Sequence, residues 1–269
     1  PTDVKFASCA LRLLINVLGA TVMSFQFHFL AGSRYVTSKD IYETAHIMEH
    51  MAFGANAQFA DEHAYEAEFT KNGAYHNAWT SDLSMCYVAD CADFEWERIL
   101  QLQQVAICQP KFKADELEAE KGNVRSELTG YLNNHGRVLW PKIQQLMGED
   151  VYTFWQRLQT INNVTLQDIR RHHKLTHTSD NLRFVIAGKL DGRKAQIQRM
   201  LETWDLPRGE RFEVPHDELK KANPTLIRRK EASNVTFGWS MTLPRELSDE
   251  EAAAMSCLNQ ILTGTMHSR

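Results

Sequence analysis

No stretch of this chain approaches the roughly 18 consecutive apolar residues that a membrane-spanning helix requires, so the sequence offers no membrane span. Excess positive charge is also missing. Lysine and arginine number 30 against 34 aspartates and glutamates, a formal net charge of −4 that gives no reason to expect nucleic acid. The short basic cluster Arg228-Arg229-Lys230 reads as a solvated group. Cysteine is sparse: Cys9, Cys86, Cys91, Cys108 and Cys257 show no metal-ligand spacing and sit mostly in apolar contexts. They read as buried free thiols, which tilts the compartment toward a reducing, cytoplasmic one. The chain opens at Pro1 with neither methionine nor a signal pattern, which implies a segment removed upstream. What is present is ordinary for a folded globular protein, 43% hydrophobic and 24% charged residues. The 269 residues have room for one large domain, or for one domain and part of another.

The most informative stretch is Ile41–Phe53, IYETAHIMEHMAF. It reads as one helix, with Ser38 and Asp40 as candidate caps and Gly54 after its end. Residues four apart share a helical face, so His46 and His50 can grip one ion together. Glu49 lies about 100° round the helix from His50, close enough to reach a water on that ion. The order H-x-x-E-H is the inverse of the zincin H-E-x-x-H, and paired imidazoles with an open position suit zinc. Ile41, Tyr42, Ala45, Ile47, Met48, Met51, Ala52 and Phe53 make the helix apolar nearly all round, so it should be buried. Buried polar side chains need partners, and a metal would satisfy these.

A third ligand is expected on a second helix, Ala114–Asn134, rich in helix formers with Asp115 and Glu116 in its first turn. Leu117, Val124 and Tyr131 recur every seven residues and mark an inward seam. Glu120 and Glu127 fall at the next inward offsets, two carboxylates on a face that ought to be apolar. Asp115, Glu116 and Glu118 read as solvated.

The remaining chain alternates strands and helices. Leu11–Leu18 and Thr21–Ala31 read as strands paired as a hairpin, with His28 an ordinary sheet residue. Phe59–Lys71 is helical up to Asn72-Gly73. Strands follow over Ala74–Thr80 and Leu83–Asp90, then an amphipathic helix, Phe94–Cys108, whose apolar side includes Phe94 and which Pro110 stops. His63 and His76 read as surface residues. Val138–Met147 is a helical stretch disturbed by Pro141. Thr165–Leu175 is a helix with Thr165 and Asp168 close to a capping box, and its His172 and His173 read as a solvated face. Asn181–Gly188 is a strand, Arg193–Trp204 a helix, and the charged, proline-bearing 206–224 a linker. Thr225–Lys230 and Val235–Thr242 then read as strands and Asp249–Leu262 as a helix, repeating the opening order. The fold class is α+β: one domain over 1–205, and the incomplete start of a second over 225–269.

Seventy-six residues separate His50 from Glu127. H-x-x-E-H, a gap of that length and then E resembles the signature of the pitrilysin/insulinase family of metallopeptidases, which includes insulin-degrading enzyme and the mitochondrial processing peptidase. Glu120 falls seven residues before Glu127, where family members carry a second glutamate. Met51 and Phe53 match residues that usually follow the motif, and Asn77-Ala78-Trp79-Thr80 resembles the family's N-A-x-T strand. Leu258–Arg269 resembles a glycine-rich stretch ending in S-R of the family's second homologous domain. There are departures. Glu43 stands where the family usually has glycine, three residues before the first histidine, and the glycine-rich stretch is thinned to Thr263-Gly264-Thr265.

The resemblance implies an α/β sandwich domain of the pitrilysin/mitochondrial processing peptidase type and a zinc-dependent endopeptidase. His46, His50 and Glu127 would hold Zn2+, Glu49 would serve as general base, and Glu120 would orient a ligand. Asn77 and Ala78 would present backbone groups to an extended peptide, with Phe53 and Trp79 as pocket walls. Family members close two homologous halves around a peptide or small unfolded protein, and the second half supplies an arginine and a tyrosine. That half would lie in the same protein or in a homologous partner subunit. A non-catalytic family subunit is the alternative.

Overall fold

Alternation of period two in Val22–Phe29 places Met23, Phe25, Phe27 and Phe29 on one buried face and Ser24, Gln26 and His28 on the other. That strand lies inside a mixed six-stranded sheet with helices packed on the phenylalanine side, an α+β fold. The computed structural model describes residues 2–3, 11–210, 212–230, 235–241, 243, 245 and 247–264. Cys9 and residues 265–269, with the end of the glycine-rich stretch, lie outside them. No helix among the described residues is long and apolar enough to cross a membrane.

In chain order the elements are β1 (Thr2–Asp3), β2 (Leu11–Asn16), β3 (Val22–Phe29), α1 (Thr44–Ala52), α2 (Glu62–Thr70), β4 (Tyr75–Thr80) and β5 (Met85–Ala92). There follow α3 (Trp96–Cys108), α4 (Ala114–Leu132), α5 (His135–Leu146), α6 (Phe154–Thr160), α7 (Leu166–Thr176), β6 (Arg183–Gly188) and α8 (Lys194–Glu202). The strand order is β1-β2-β6-β3-β5-β4. The expected hairpin of β2 with β3 does not form, because β6 inserts between them, parallel to β2 and antiparallel to β3. The reason is burial: Phe184 and Ile186 of β6 join the core beside Phe25 and Phe27, which an edge position would leave half covered.

Several local expectations also change. Phe94 belongs to a 3-10 turn before α3 and stands 75% exposed; Trp96 opens the buried side instead. Glu116 is only partly solvated, since its carboxylate accepts the Ala55 N–H at 3.0 Å and ties the end of α1 to the start of α4. Ser38 caps the 3-10 turn that precedes α1 rather than α1 itself. The described residues of 206–224 form no regular structure, but the segment is fastened to its unit, as in the bidentate Arg34–Asp217 pair at 2.6 and 2.7 Å.

No strand forms over 225–230 or over the described residues 235–241, while 231–234 and 242 lie outside the description. A strand satisfies its N–H and C=O groups only through a neighbour, and none pairs with these segments among the described residues. Residues 1–236 form one compact unit and 237–269 a second. The second contains α9 (Asp249–Thr263), started by a Ser248/Glu251 capping box and by a bidentate Arg245–Glu251 pair. Of the thiols, Cys86 and Cys91 are buried and free, and burial pushes each up to about 12, which makes them poor nucleophiles. Cys257, by contrast, is exposed.

Candidate metal centre

α1 is buried along almost its whole length, as its apolar composition requires, and packs against α4 and β4. Its polar side chains therefore face neighbouring elements, His46 and Glu49 almost wholly and His50 in part. The i, i+4 spacing stacks His46 and His50 with ring centroids 5.0 Å apart. The seam of α4 brings Glu127 across, so that its Oε2 lies 3.2 Å from His46 Nε2 and 3.8 Å from His50 Nε2. All three donor atoms fall within 4.8 Å of one another.

That spacing suits one small cation. Ligand bonds of about 2.0–2.2 Å in tetrahedral geometry put donor atoms roughly 3.3–3.6 Å apart. Two nitrogens and one carboxylate oxygen also leave a fourth position, as in catalytic rather than closed structural sites. A cleft of about 370 Å³ opens beside His50, with Glu62, Glu116 and Glu120 on its walls.

Each donor is held from behind. His50 donates its Nδ1–H to Glu120 Oε2 at 3.1 Å, and Asn123 Nδ2 donates to the same oxygen at 3.1 Å. The His50 hydrogen bond, with lesser help from Asn123, lowers the Glu120 carboxyl below its ordinary range despite burial. The Tyr131 hydroxyl donates to Glu127 Oε1, which leaves Oε2 for the histidines. The hydrogen bond with His46 holds Glu127 in the carboxylate form.

His46 donates its Nδ1–H to Glu43 Oε2 at 3.1 Å, and Glu43 in turn takes Arg157 Nε at 2.5 Å and Nη2 at 2.9 Å. Burial disfavours a proton on His46, but the hydrogen bonds to Glu127 and Glu43 outweigh it and raise the metal-free ring to about 9. Burial likewise works against a Glu43 carboxylate, and the Arg157 charge overrides it, bringing the group to about 2. Metal binding to this centre must displace the His46 proton.

Glu49 is 8% exposed, on the turn between the two histidines, and its Oε2 accepts the Thr80 hydroxyl at 2.7 Å. Thr80 ends β4, the last strand of the sheet, whose outer edge is unpaired among the described residues. Asn77 stands on the same strand, its Oδ1 accepting the Ala78 N–H and its Nδ2 donating to the Tyr75 hydroxyl. Ala78 is turned inward. Phe53, itself partly buried, packs against the core and the rings of Tyr65, Tyr87 and His76. Trp79 is 44% exposed on the sheet's other face, edge-on to His28.

Two histidine assignments change. His76 is no surface residue: its side chain stacks on Phe69 at 3.9 Å, and its Nε2 lies 2.7 Å from Glu66 Oε1. His172 and His173 are not on a solvated face either. Their Nε2–H groups donate to the Ala31 and Ile107 carbonyls at 2.9 and 2.8 Å, inside the core. The amphipathic face of α7 is simply wider than adjacent-residue geometry suggests, because imidazole can be buried wherever a carbonyl receives its proton.

Glu43, Arg157, Thr80 and Tyr131 escaped the sequence reading as parts of this centre. One signal was available for α6: Thr153-Phe154-Trp155-Gln156 is a capping-box pattern, and the box forms, with Gln156 Oε1 accepting the Thr153 N–H at 2.9 Å. It sets the start of the helix that carries Arg157 to Glu43.

Residues 19–150 match the family model described as Insulinase (Peptidase family M16), and residues 163–269 match that of the Peptidase M16 inactive domain. The mitochondrial-processing peptidase subunit beta of Caenorhabditis elegans is 26% identical over 184 residues, which are 66% of this chain and 39% of that protein. Among solved structures, a protease from Helicobacter pylori superposes with a TM-score of 0.67 at 18% identity, over 81% of this chain and 53% of that one. The peptidase M16 inactive domain from Pseudomonas fluorescens gives 0.66 at 16% identity, over 82% and 53%. These superpositions speak to the fold, and this chain spans about half the length of the solved chains and less of the curated relative. With two of the family's models aligned along most of its length, the chain belongs to the pitrilysin/insulinase family of peptidases.

Proposed function

We propose that this chain is the metal-bearing half of a zinc-dependent endopeptidase. The observation that carries the reading is the convergence of His46, His50 and Glu127 within 4.8 Å, with Glu49 between the histidines. Zinc bound there would lower the pKa of a bound water to about 7 and polarise the scissile carbonyl.

The protein's own groups would then do the rest. With each Nδ1 donating to a carboxylate, both rings present Nε2 inward. Glu49, steadied through Oε2 by Thr80, would take a proton from the attacking water and pass it to the leaving amine. Glu120 would orient His50. The open edge of β4, at Asn77 and Ala78, would receive an extended peptide as an added strand. Phe53 would support this edge from the core and Trp79 would flank it from the other face.

Residues 225–269 would begin a second homologous domain after the 206–224 linker. A C-terminal half, in the same protein or in a homologous partner subunit, would close over the substrate. By itself the chain should bind zinc and cleave poorly.

The match of 163–269 to an inactive-domain model favours a second reading, a non-catalytic subunit that binds peptide. One experiment separates them. Combined with its complementing half, the chain should cleave an unfolded peptide, and a chelator should abolish cleavage. Glu49→Gln should lower the rate by about 10²–10⁴-fold with zinc retained. Cleavage indifferent to both changes would sink the peptidase reading, and zinc without cleavage would favour the subunit.

A further inference from the structure

Glu43 occupies a place where burial should exclude a charge, since its side chain is wholly inaccessible to water. A lone carboxylate there would be costly, and it persists only because three hydrogen bonds, two of them from a guanidinium, compensate the charge. Arg157 grips both oxygens, and His46 Nδ1–H donates to Oε2. Glu43, the N-cap of α1, makes no side-chain capping bond. Its carboxylate is turned along the helix toward the residue three places on, which is His46.

The result is a matched pair of supports. Glu120 holds His50 through Nδ1, and Glu43 holds His46 through Nδ1, at 3.1 Å in both cases. Each contact fixes the ring's tautomer and leaves Nε2 as the metal-facing atom. The two supports differ in setting. Glu120 sits on the wall of the open cleft, whereas Glu43 is sealed in and held by a cation from α6. Arg157 is fixed in its turn, stacked near the rings of Phe154 at 5.6 Å and Tyr42 at 5.9 Å. It falls in neither stretch that matches a family model, 19–150 or 163–269.

Resting on the metal-centre reading above, we propose that Glu43, clamped by Arg157, is a positioning residue that orients His46 for the metal. Arg157 supplies the compensating charge that lets a carboxylate stand at this depth, and the pair makes the first histidine as firmly directed as the second.

Zinc affinity, measured by competition with a chromophoric chelator, tests this without reference to turnover. Wild type, Glu43→Gln, and the charge-neutral double variant Glu43→Gly with Arg157→Met are compared, with urea denaturation of the metal-free proteins alongside. The double variant covers the case in which Glu43→Gln alone fails to fold around an uncompensated Arg157. Loss of the carboxylate should weaken zinc binding by about 10-fold or more in both variants, while the folded fraction is preserved. Wild-type zinc affinity in a folded double variant, with only urea stability lowered, would make the pair a structural strut and overturn the proposal. A wild-type chain that binds no more zinc than His50→Ala would overturn the metal centre itself.

Discussion

Two helices of the same unit carry closely spaced histidines, and they put them to opposite uses. α1 holds His46 and His50; α7 holds His172 and His173, with His177 just beyond its end. Burial does not distinguish the groups, since His46 is 8% exposed and His172 3%. Partners do. The Nδ1 atoms of α1 face carboxylates and the Nε2 atoms face a third carboxylate, which favours positive charge on the rings or beside them. The imidazoles of α7 face the neutral carbonyls of Ala31 and Ile107, and His177 bonds with the Tyr87 hydroxyl at 2.9 Å. Burial accordingly lowers His172 to about 4 and His177 well below its ordinary range, while His46 is raised to about 9. A histidine pair becomes a metal candidate when acid groups converge on it, and a packing element when only dipoles do.

This contrast can be broken most sharply at the ligands. His50→Ala or Glu127→Ala should reduce zinc affinity by more than about 100-fold, beyond what loss of an outer hydrogen-bonding partner costs. Titration of His172→Leu in the same competition assay should give wild-type affinity. Comparable zinc loss in all three variants would erase the distinction between the helices.

Acid provides the next largest effect, and it acts on α7. The unfolded chain protonates His172 below about pH 6.5, whereas the folded chain resists down to about 4. The unfolded state thus binds more protons within that window, so stability falls as pH falls through it. Full development of the His172 shift corresponds to about 3 kcal/mol, and His173, also lowered by burial, adds in the same direction. Urea denaturation of the metal-free protein at pH 7 and pH 5 should show the decline, and His172→Leu should flatten it. A profile equally steep in that variant would place the acid-sensitive group elsewhere.

The smallest expected effect is the cost of His172→Leu at pH 7. Removing the imidazole leaves the Ala31 carbonyl without its donor inside the core, a penalty of about 1–3 kcal/mol. A melting curve unchanged from wild type would mean that the carbonyl finds another partner.

How much of this was legible in the sequence depends on the distance over which each feature is encoded. Helix α1, its paired histidines and the inward seam carrying Glu120 and Glu127 follow from spacings of three, four and seven residues. Helical geometry converts such spacings directly into faces. The same holds for β3, where alternation of period two separated Phe25 and Phe27 from Gln26 and His28. The depth of α7 was misjudged because histidine is compatible with either water or a buried carbonyl, and its own sequence neighbours do not say which.

By itself, then, the sequence determined most of the elements up to α8 and marked the histidines and glutamates that converge on the candidate centre, since both rest on local backbone geometry. Only the tertiary structure decided that β6 would part β2 from β3, and that a glutamate in the usual place of a glycine would meet an arginine 114 residues away. Those outcomes depend on which distant surfaces bury one another, and no short-range pattern carries that information.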